Sequence, residues 1–430
     1  MFLKDFNKKK KSYQKMTIIK KNNVLLYTTV GDALGTPLDG LSKGHISSVF
    51  KKIEGYIDPL LALKGKTEKW RKPGLYSATS QLSILFALNM YKGAFSVHKY
   101  IDLIANSPDL PNSISGIFRY PDNVVKDFII SCHNNGSASM QPSATLPLIT
   151  FPLVLHEKSD YIPRICTFAN RMSRDIMTIA GCLIYAGIMS NFIETNNLTS
   201  KDMLHAAIEN AKTTVLQTER ESSVIFESGI NPESLISAMK VYVSSLESIA
   251  EGTNEEREKR LLAIINTVLK TPATRLTIPH PLAIIPYSLY LVYKHRGIPE
   301  SIFSIAEEGG ACGALTACSS SFLGILNEAE DIPTALIDGL VNRKRILSII
   351  KSISEQKVLP SLIDEFINSE LSLSIKAFEE LKARTKTRST PAKTAKPLSN
   401  EQQLARHVVE SWTKLDKAKW KKERRRNEQA

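Results

Sequence analysis

Hydroxyl groups at the start of one predicted helix form the first candidate site. The segment Lys72–Ser83 begins with a Pro-Gly loop and leads into apolar residues. Its Ser77, Thr79 and Ser80 are of types that cap a helix N-terminus by accepting a bond from a free N–H. Such an N-terminus also suits an anion or a metal-bound phosphate, so we expect Ser77 and Thr79 to contact a ligand. The segment contains no carboxylate.

Two aspartates in the stretch Gly31–Gly40 are the candidate acids. Asp39 lies in a Pro-containing loop, where a lone carboxylate could position a water as a general base, so it is our candidate catalytic residue. Capping a helix or pairing with a basic side chain is the alternative role of Asp39. The same structural roles suit Asp32, which we count with Gly31 and Gly35 among the candidate ligand-contact residues.

Two loops of small residues complete the candidate site. Asn135–Pro142 is a small polar loop before an apolar helix, and Glu307–Cys318 is a Gly-rich turn that opens a small-residue helix. The turn is too short for a P-loop, and no Gly-Lys-Ser/Thr follows it. The candidate ligand-binding residues in these loops are Gly136, Ser137, Gln141, Gly309 and Gly310.

Helical periodicity accounts for most of the chain between these loops, and convincing strand alternation is rare, so we predict an all-α fold in one compact body. Small residues at 31, 33 and 35 predict that another helix approaches the helix Val24–Leu34 closely. The other predicted helices are Leu82–Met90, Val124–Cys132, Lys201–Glu219, Glu233–Ala250, Glu255–Lys270, Ala283–Tyr293, Ile302–Glu307, Pro333–Val341, Arg345–Ile353 and the periodic stretch Arg164–Ile193.

The net charge of +13 has its positive part at the two ends of the chain, with +7 in residues 1–22 and +10 in residues 381–430. The residues between them carry −4. We predict a basic N-terminal tail (1–22) that is disordered or helical, a helical domain (23–380), a linker (381–403) and a basic amphipathic helix (404–430). Such a helix favours nucleic acid or an anionic surface as partner. The alternatives are that the tails keep the protein soluble and that the helix docks on the domain.

The cysteines predict a reducing compartment, and we expect a cytoplasmic protein. They are odd in number and lack zinc-ligand spacing, which predicts reduced, mostly buried thiols. A helix N-terminus could lower the pKa of Cys312, although a space-filling thiol is the favoured interpretation. Ile176–Met189 is apolar but predicted too short to span a membrane, and we expect no transmembrane segment and no secretory signal. The five cysteines are Cys132, Cys166, Cys182, Cys312 and Cys318.

Four stretches in order resemble the motifs of the ADP-ribosylglycohydrolase family, over roughly residues 24–345. Gly31–Gly40 resembles the opening Gly-Asp-Ala-Leu-Gly motif, and Tyr76–Leu82 resembles the Thr-Asp-Asp-Thr-Gln motif. Asn135–Pro142 resembles the Asn-Gly-x-x-Met-Arg loop, and Glu307–Pro333 resembles the late Gly-Gly-Asp-x-Asp-Thr helix. The resemblance implies a compact all-α fold and an ancestral hydrolase that removes ADP-ribose with two Mg²⁺ ions.

The departures from the family pattern fall on the metal ligands. The Thr and two Asp of the second motif correspond to Ser77, Ala78 and Thr79, and the two Asp of the last motif correspond to Ala311 and Gly313. Mg²⁺ needs anionic oxygen ligands, so we predict no metal site and no cofactor. The Arg of the third motif is here Gln141, and the mid-chain motif near Met172–Asp175 shows no His.

Three functions remain open. The first is a non-catalytic relative of the ADP-ribosylglycohydrolases that binds an ADP-ribose-like ligand or a protein. The second is a hydrolase with a remodelled site, in which Asp39 acts with a group such as Glu307, Glu308, His133 or His280. The third is a nucleic-acid-associated protein that acts through residues 404–430, with phosphate contacts and stacking.

Overall fold

A computed structural model of the protein describes residues 2–64, 66–90, 96–108, 110, 115–134, 138–155, 161–355 and 357–389. Within these ranges the chain forms α-helices, short 3₁₀ turns and isolated bridges but no strand, so the all-α prediction is confirmed. The helices are α1 Phe2–Gly35, α2 Lys43–Phe50, α3 Ala78–Asn89, α4 Val97–Ala105, α5 Asn123–Asn134, α6 Leu146–Thr150, α7 Tyr161–Met172, α8 Ile176–Glu194, α9 Ser200–Arg220, α10 Ser222–Glu227, α11 Pro232–Ser248, α12 Asn254–Val268, α13 Pro281–Lys294, α14 Ser301–Ala306, α15 Cys312–Leu326, α16 Thr334–Gly339, α17 Arg343–Ser354 and α18 Pro360–Ser389.

Helices α1 and α15 pack against each other at the centre of the fold, as the small residues of α1 predict. A Cβ atom on Gly31 would lie 2.3 Å from Ser320 Oγ, and one on Gly35 would lie 2.4 Å from the Cys312 carbonyl oxygen. Only glycine leaves room for this approach. Thr316 Oγ1 donates a hydrogen bond to the Gly31 carbonyl (2.7 Å), which fixes the two helices in register.

By length and composition, helix α8 could cross a membrane. The apolar stretch predicted from the sequence, Ile176–Met189, is shorter than this helix. Helix α8 runs for 19 residues, and 83% of its apolar window is buried inside the fold. Pro281 of α13 packs against Gly181, and Tyr242 Oη of α11 donates to the Met177 carbonyl (2.9 Å). Because α8 is surrounded by other helices, these contacts identify it as a core helix.

The basic N-terminal tail over 1–22, expected to be disordered or helical, is helical in its backbone, since α1 begins at Phe2. Lysine is a good helix former, and the sequence contains no Pro or Gly before Gly31 that would end the helix. Lys20 Nζ donates to the Phe192 carbonyl (3.3 Å), so the last part of the basic stretch contacts the domain.

The C-terminal region divides close to residue 380, and its last described helix runs past that position. The contacts divide the chain into a compact unit Met1–Leu381 and a second unit Lys382–Ala430. Helix α18 continues to Ser389, so residues 381–389 are helical rather than part of a linker. Most of the predicted linker and the whole predicted helix 404–430 lie outside the described residues.

The predicted helices in the body are present, with ends that shift by a few residues. Arg164–Ile193 is two helices, α7 and α8, because the chain turns at Ser173–Asp175 and Asp175 caps the second one. Helices α2, α4, α10 and α18 were not predicted. Pro360 at the first position of α18, followed by apolar residues at three- and four-residue spacing, is a signal that could have revealed that helix.

Candidate functional site

Asp32 is buried, and both of its carboxylate oxygens accept hydrogen bonds. Oδ1 accepts from Thr36 Oγ1 (2.8 Å) and Ser77 Oγ (2.7 Å). Oδ2 accepts from the backbone N–H groups of Ser77 (2.9 Å) and Ser80 (3.2 Å) and from Ser80 Oγ (2.7 Å). Five donors saturate a carboxylate that offers about four lone-pair sites. Asp32 therefore joins the end of α1 to the start of α3 and has no free oxygen for a ligand.

The start of α3 is closed in the same way. Ser77 is the N-cap, and its hydroxyl accepts from the Thr79 N–H (3.1 Å), as capping residue types predict. The Ala78 N–H donates to the Arg119 carbonyl (2.5 Å). Ser77 and Thr79 are 4% and 7% exposed, so this N-terminus is buried within the protein.

Asp39 lies at the start of α15 and is only partly engaged. Its Oδ1 accepts from the Gly313 N–H (2.7 Å), so Asp39 caps this helix from another part of the chain. The residue is exposed, yet protein atoms surround its carboxyl. Loss of hydration raises the pKa of Asp39 to about 7; the amides of Gly313 and Cys312 oppose this rise, and the charge of Asp32 adds to it.

The positive charge of Arg71 acts on the Asp39 carboxyl and lowers its pKa. The guanidinium carbon lies 4.2 Å from the centroid of the Tyr120 ring, a cation–π distance. Two carbonyls, those of Glu68 (3.2 Å) and Trp70 (3.0 Å), accept bonds from Arg71 Nη1. Burial lowers the pKa of Arg71. Arg71 is therefore held by the Tyr120 ring and by nearby carbonyls, at a position from which its charge acts on the Asp39 carboxyl.

The loop before α13 connects the start of α15 to that of α8. The Ala311 N–H donates to the Thr277 carbonyl (2.9 Å). His280 caps α13, because its Nδ1 accepts from the Leu282 N–H (3.2 Å). Burial lowers the pKa of His280, and the charge of Asp175 partly opposes this change. Asp175 Oδ2 in turn accepts from the N–H (2.8 Å) and Oγ1 (2.7 Å) of Thr178.

A fourth aspartate, Asp122, connects α5 with the loop before α6. Its Oδ1 accepts from the Val125 N–H (2.8 Å), and its Oδ2 accepts from the hydroxyls of Ser143 and Thr145 (2.7 Å each). The Ser143 N–H donates to Thr178 Oγ1 (3.0 Å), next to Asp175. Contacts therefore run continuously from α3 through these loops to α15, and each aspartate along them holds a helix start.

The glycines of the late turn have backbone reasons for their identity. Gly309 and Gly310 have φ values of +66° and +70°, and a Cβ on Gly310 would lie 2.2 Å from the Thr277 carbonyl oxygen. The N–H of Gly310 donates to the Leu41 carbonyl (2.7 Å), and the Gly310 carbonyl accepts from the Gly40 N–H (2.8 Å). This turn therefore holds the loop that carries Asp39.

The remaining predicted residues are placed as follows. Gln141 is exposed, and its carbonyl accepts from Ser173 Oγ (3.2 Å), so the structure does not bring its side chain to Asp39. Gly31 and Gly35 lie inside the α1–α15 contact and face α15. Gly136 and Ser137 lie outside the described residues, as does the 404–430 segment with its predicted nucleic-acid partner.

The side chains considered as replacement acids or bases have partners of their own. Glu307 Oε1 accepts from the Ile53 N–H (2.9 Å), and Glu308 pairs with Lys43 (2.7 Å). The Cys312 thiol donates to the Ala306 carbonyl (3.3 Å). Burial raises its pKa well above the ordinary value, contrary to the lowering considered from its helix position.

Sequence reasoning missed Arg71, Tyr120, Asp122, Asp175 and Thr277. Asp122 and Asp175 both precede apolar helical runs, so capping patterns could have revealed them. Arg71, Tyr120 and Thr277 carry no local signal, since their roles depend on residues distant in the sequence.

The donor set does not fit Mg²⁺. The four positions that correspond to metal-binding acids hold Ala78, Thr79, Ala311 and Gly313. Asp32 has no free oxygen. Across the described ranges, no group of three or more His, Cys, Asp or Glu could hold a metal ion. We therefore derive no chemistry through a metal.

The geometry defines an all-helical protein in which four loops meet around helix starts. The family model for ADP-ribosylglycohydrolase matches residues 23–362. This chain belongs to the ADP-ribosylglycohydrolase family, as its motifs predict.

Solved structures support the same fold. One titled "ADP-ribosylglycohydrolase-related protein complex" has a TM-score of 0.52 and 13% sequence identity, covering 80% of this chain and 99% of the other. Among the curated proteins, none matches the sequence. At this level of identity, the structural likeness shows the fold alone.

Proposed function

We propose that this protein binds an ADP-ribose-like ligand without the Mg²⁺-dependent hydrolysis that the family resemblance implies. The observation that carries the proposal is that the aspartates around the site hold helix starts instead of a metal. Asp32, Asp122 and Asp175 each accept several hydrogen bonds from protein donors, and Asp39 accepts one from Gly313. Such carboxylates cannot also form an octahedral oxygen shell around Mg²⁺.

The site keeps groups suited to a ribose phosphate. Asp39 retains Oδ2 as an acceptor for sugar hydroxyls, and Arg71 provides a guanidinium suited to phosphate. A cavity of about 540 Å³ borders the late glycine turn, with Ser42, Thr277 and Glu308 in its lining. That volume falls in the range of small-molecule sites.

Calorimetric titration of the full chain with ADP-ribose and Mg²⁺, separately and together, tests the proposal. We expect ADP-ribose to bind with a Kd in the micromolar range, Mg²⁺ to give no binding heat, and EDTA to leave the affinity unchanged. ADP-ribosylated protein should stay intact over hours in an assay where an active family hydrolase cleaves it. Hydrolysis that requires Mg²⁺, or the absence of any ADP-ribose binding, would contradict the proposal.

Matched variants locate the binding. Asp39→Asn and Arg71→Met should each weaken ADP-ribose binding about tenfold or more, the size expected for one charged contact. Arg220→Met, at the exposed C-terminal end of α9, is the control and should bind as the wild type does. Equal affinities in all four proteins would place the ligand elsewhere.

A hydrolase that acts without metal is the second candidate, and the pKa of Asp39 favours it. A carboxyl with a pKa near 7 suits a general base at neutral pH. This candidate predicts hydrolysis that survives EDTA, is lost in Asp39→Asn and rises with pH through about 7. Absence of turnover at pH 8 in EDTA would exclude it.

The thiols support a cytoplasmic location, which is part of the proposal. All five cysteines are free, four of them buried and Cys132 partly exposed. Free thiols are typical of a reducing compartment. Fractionation of cells expressing the tagged protein should recover it with cytoplasmic markers.

A further inference from the structure

A second carboxylate, Glu370 of α18, contacts the start of α3 from another side. Its Oε2 pairs with Arg119 Nη2 (2.5 Å) and accepts from Gln81 Nε2 (2.8 Å), and its Oε1 accepts from Tyr76 Oη (2.5 Å). The Arg119 and Glu370 side chains are 4% and 1% exposed. Burial lowers the pKa of Arg119, but the charge of Glu370, the hydrogen bond to it and the neighbouring Tyr76 together outweigh burial, so the pKa is raised.

The partners of Glu370 belong to the segment that forms the candidate site. Tyr76 and Gln81 flank the Ser77–Ser80 turn that Asp32 holds. The Arg119 carbonyl accepts a hydrogen bond from the Ala78 N–H in the same turn. Gln81 also accepts from the Arg119 N–H through Oε1 (2.8 Å). The start of α3 is therefore held between two buried carboxylates, one from α1 and one from α18.

Further contacts tie α18 to the same region. Ser374 Oγ accepts from Arg119 Nη1 (2.9 Å) and donates to the Ile117 carbonyl (2.6 Å). At the residue directly before Glu370, Ser369 Oγ accepts from Asn342 Nδ2 (2.9 Å). Further along α18, Glu380 pairs with Lys72, which follows Arg71 in the sequence. Helix α18 thus contacts the site segment at two positions about three turns apart.

These contacts come from outside the segment that the family model matches. The match ends at residue 362, whereas Glu370, Ser374 and Glu380 follow it. A buried ion pair stabilises a fold weakly, because desolvation offsets its attraction, and its attested benefit is to specify one arrangement. The arrangement that Glu370 specifies is the path of Tyr76–Gln81.

We propose that Glu370 is a positioning residue that holds the Tyr76–Gln81 segment in a single conformation. In a chain whose motif keeps its acids, metal ions would join the segments around it. Here the Arg119–Glu370 ion pair joins them. It follows that the site is formed without metal. The binding part of this inference rests on the proposed function, whereas the positioning part does not.

Hydrogen exchange of the full chain, read by mass spectrometry, tests the positioning. Glu370→Gln keeps the shape but removes the charge, and exchange in peptides covering residues 76–88 should rise about tenfold. Glu365→Gln is the matched control on the same helix, since Glu365 pairs with Arg345 at 2.5 Å but is 55% exposed. It should leave those peptides unchanged, and EDTA should have no effect on the wild type.

A double variant separates positioning from stability. Arg119→Met with Glu370→Met removes both buried charges, so thermal stability should largely return while residues 76–88 still exchange fast, because Tyr76 and Gln81 have lost their acceptor. Unchanged exchange of this segment in Glu370→Gln, or a rise spread evenly over the chain, would overturn the proposal. Recovery of normal exchange in the double variant would also overturn it.

Ligand titration completes the test. Glu370→Gln should weaken ADP-ribose binding about tenfold, with circular dichroism unchanged. If the wild type does not bind ADP-ribose, the proposed function fails, and the exchange data still decide the role of Glu370. If the wild type binds and Glu370→Gln binds equally well despite faster exchange, the positioning of this segment is irrelevant to the ligand and that part of the inference is wrong.

Discussion

Asp32 and Asp39 come from one short motif, yet their surroundings differ completely. Asp32 is 1% exposed and accepts five hydrogen bonds, whereas Asp39 is exposed and accepts one from Gly313. The first carboxylate holds two helices together, and the second caps one helix and keeps an oxygen free. The comparison teaches that a motif can keep its acids while dividing them between structure and ligand contact.

Removal of Asp32 should have the largest effect. Asp32→Ala leaves two buried hydroxyls and two backbone N–H groups at the start of α3 without their acceptor, and we expect a loss of about 4 kcal/mol in the free energy of unfolding. Urea denaturation followed by circular dichroism measures it. Asp39→Ala is the matched comparison and should lose less than about 1 kcal/mol. Equal losses would remove the distinction between the two acids.

Thr36 lies between the two aspartates and sharpens the comparison. Its hydroxyl donates to Asp32 Oδ1 (2.8 Å), so Thr36→Val removes one of five bonds with little change in volume. We expect a loss of about 1 kcal/mol in the free energy of unfolding, measured in the same urea series. Thr36→Ser keeps the hydroxyl and should retain the bond. A Thr36→Val protein as stable as the wild type would mean that Asp32 does not depend on this donor.

A further difference between the two acids concerns pH. The pKa of Asp39 is raised in the folded protein from 3.8 to about 7, so the folded state binds the proton more tightly than the unfolded state does. The stabilisation from this proton is complete below pH 3.8 and is lost as pH rises through 7. Asp39→Asn cannot titrate, so its melting temperature relative to the wild type should increase between pH 5 and pH 8. A constant difference across this range would show that the pKa of Asp39 is not raised.

Local features of the sequence predicted much of the fold and part of the site. The glycines at 31 and 35 predicted a close helix contact because the cause, a missing Cβ, is visible in the residue itself. Ser77 caps a helix because of its own hydroxyl group, which is likewise visible in the residue itself. The family motifs predicted which loops meet.

Long-range partners could not be predicted. Asp32 accepts from residues 45 and 48 positions away, and Glu370 pairs with an arginine 251 positions away. No periodicity or spacing in the sequence signals such pairs. For residues 1–22 the sequence left disorder and helix open, because high charge favours the first and the helix propensity of lysine favours the second.

The contact between α1 and α15 has a consequence for biosynthesis. The bond from Thr316 to Gly31 joins residues 285 positions apart, so the first helix leaves the ribosome long before its partner exists. At typical translation speeds this interval is roughly 15 to 60 s. Throughout it, the face of α1 that packs on α15 has no native surface to cover it. We expect chaperones to bind the nascent chain during this interval, and ribosome profiling combined with chaperone capture should detect sustained occupancy until about residue 326 has emerged.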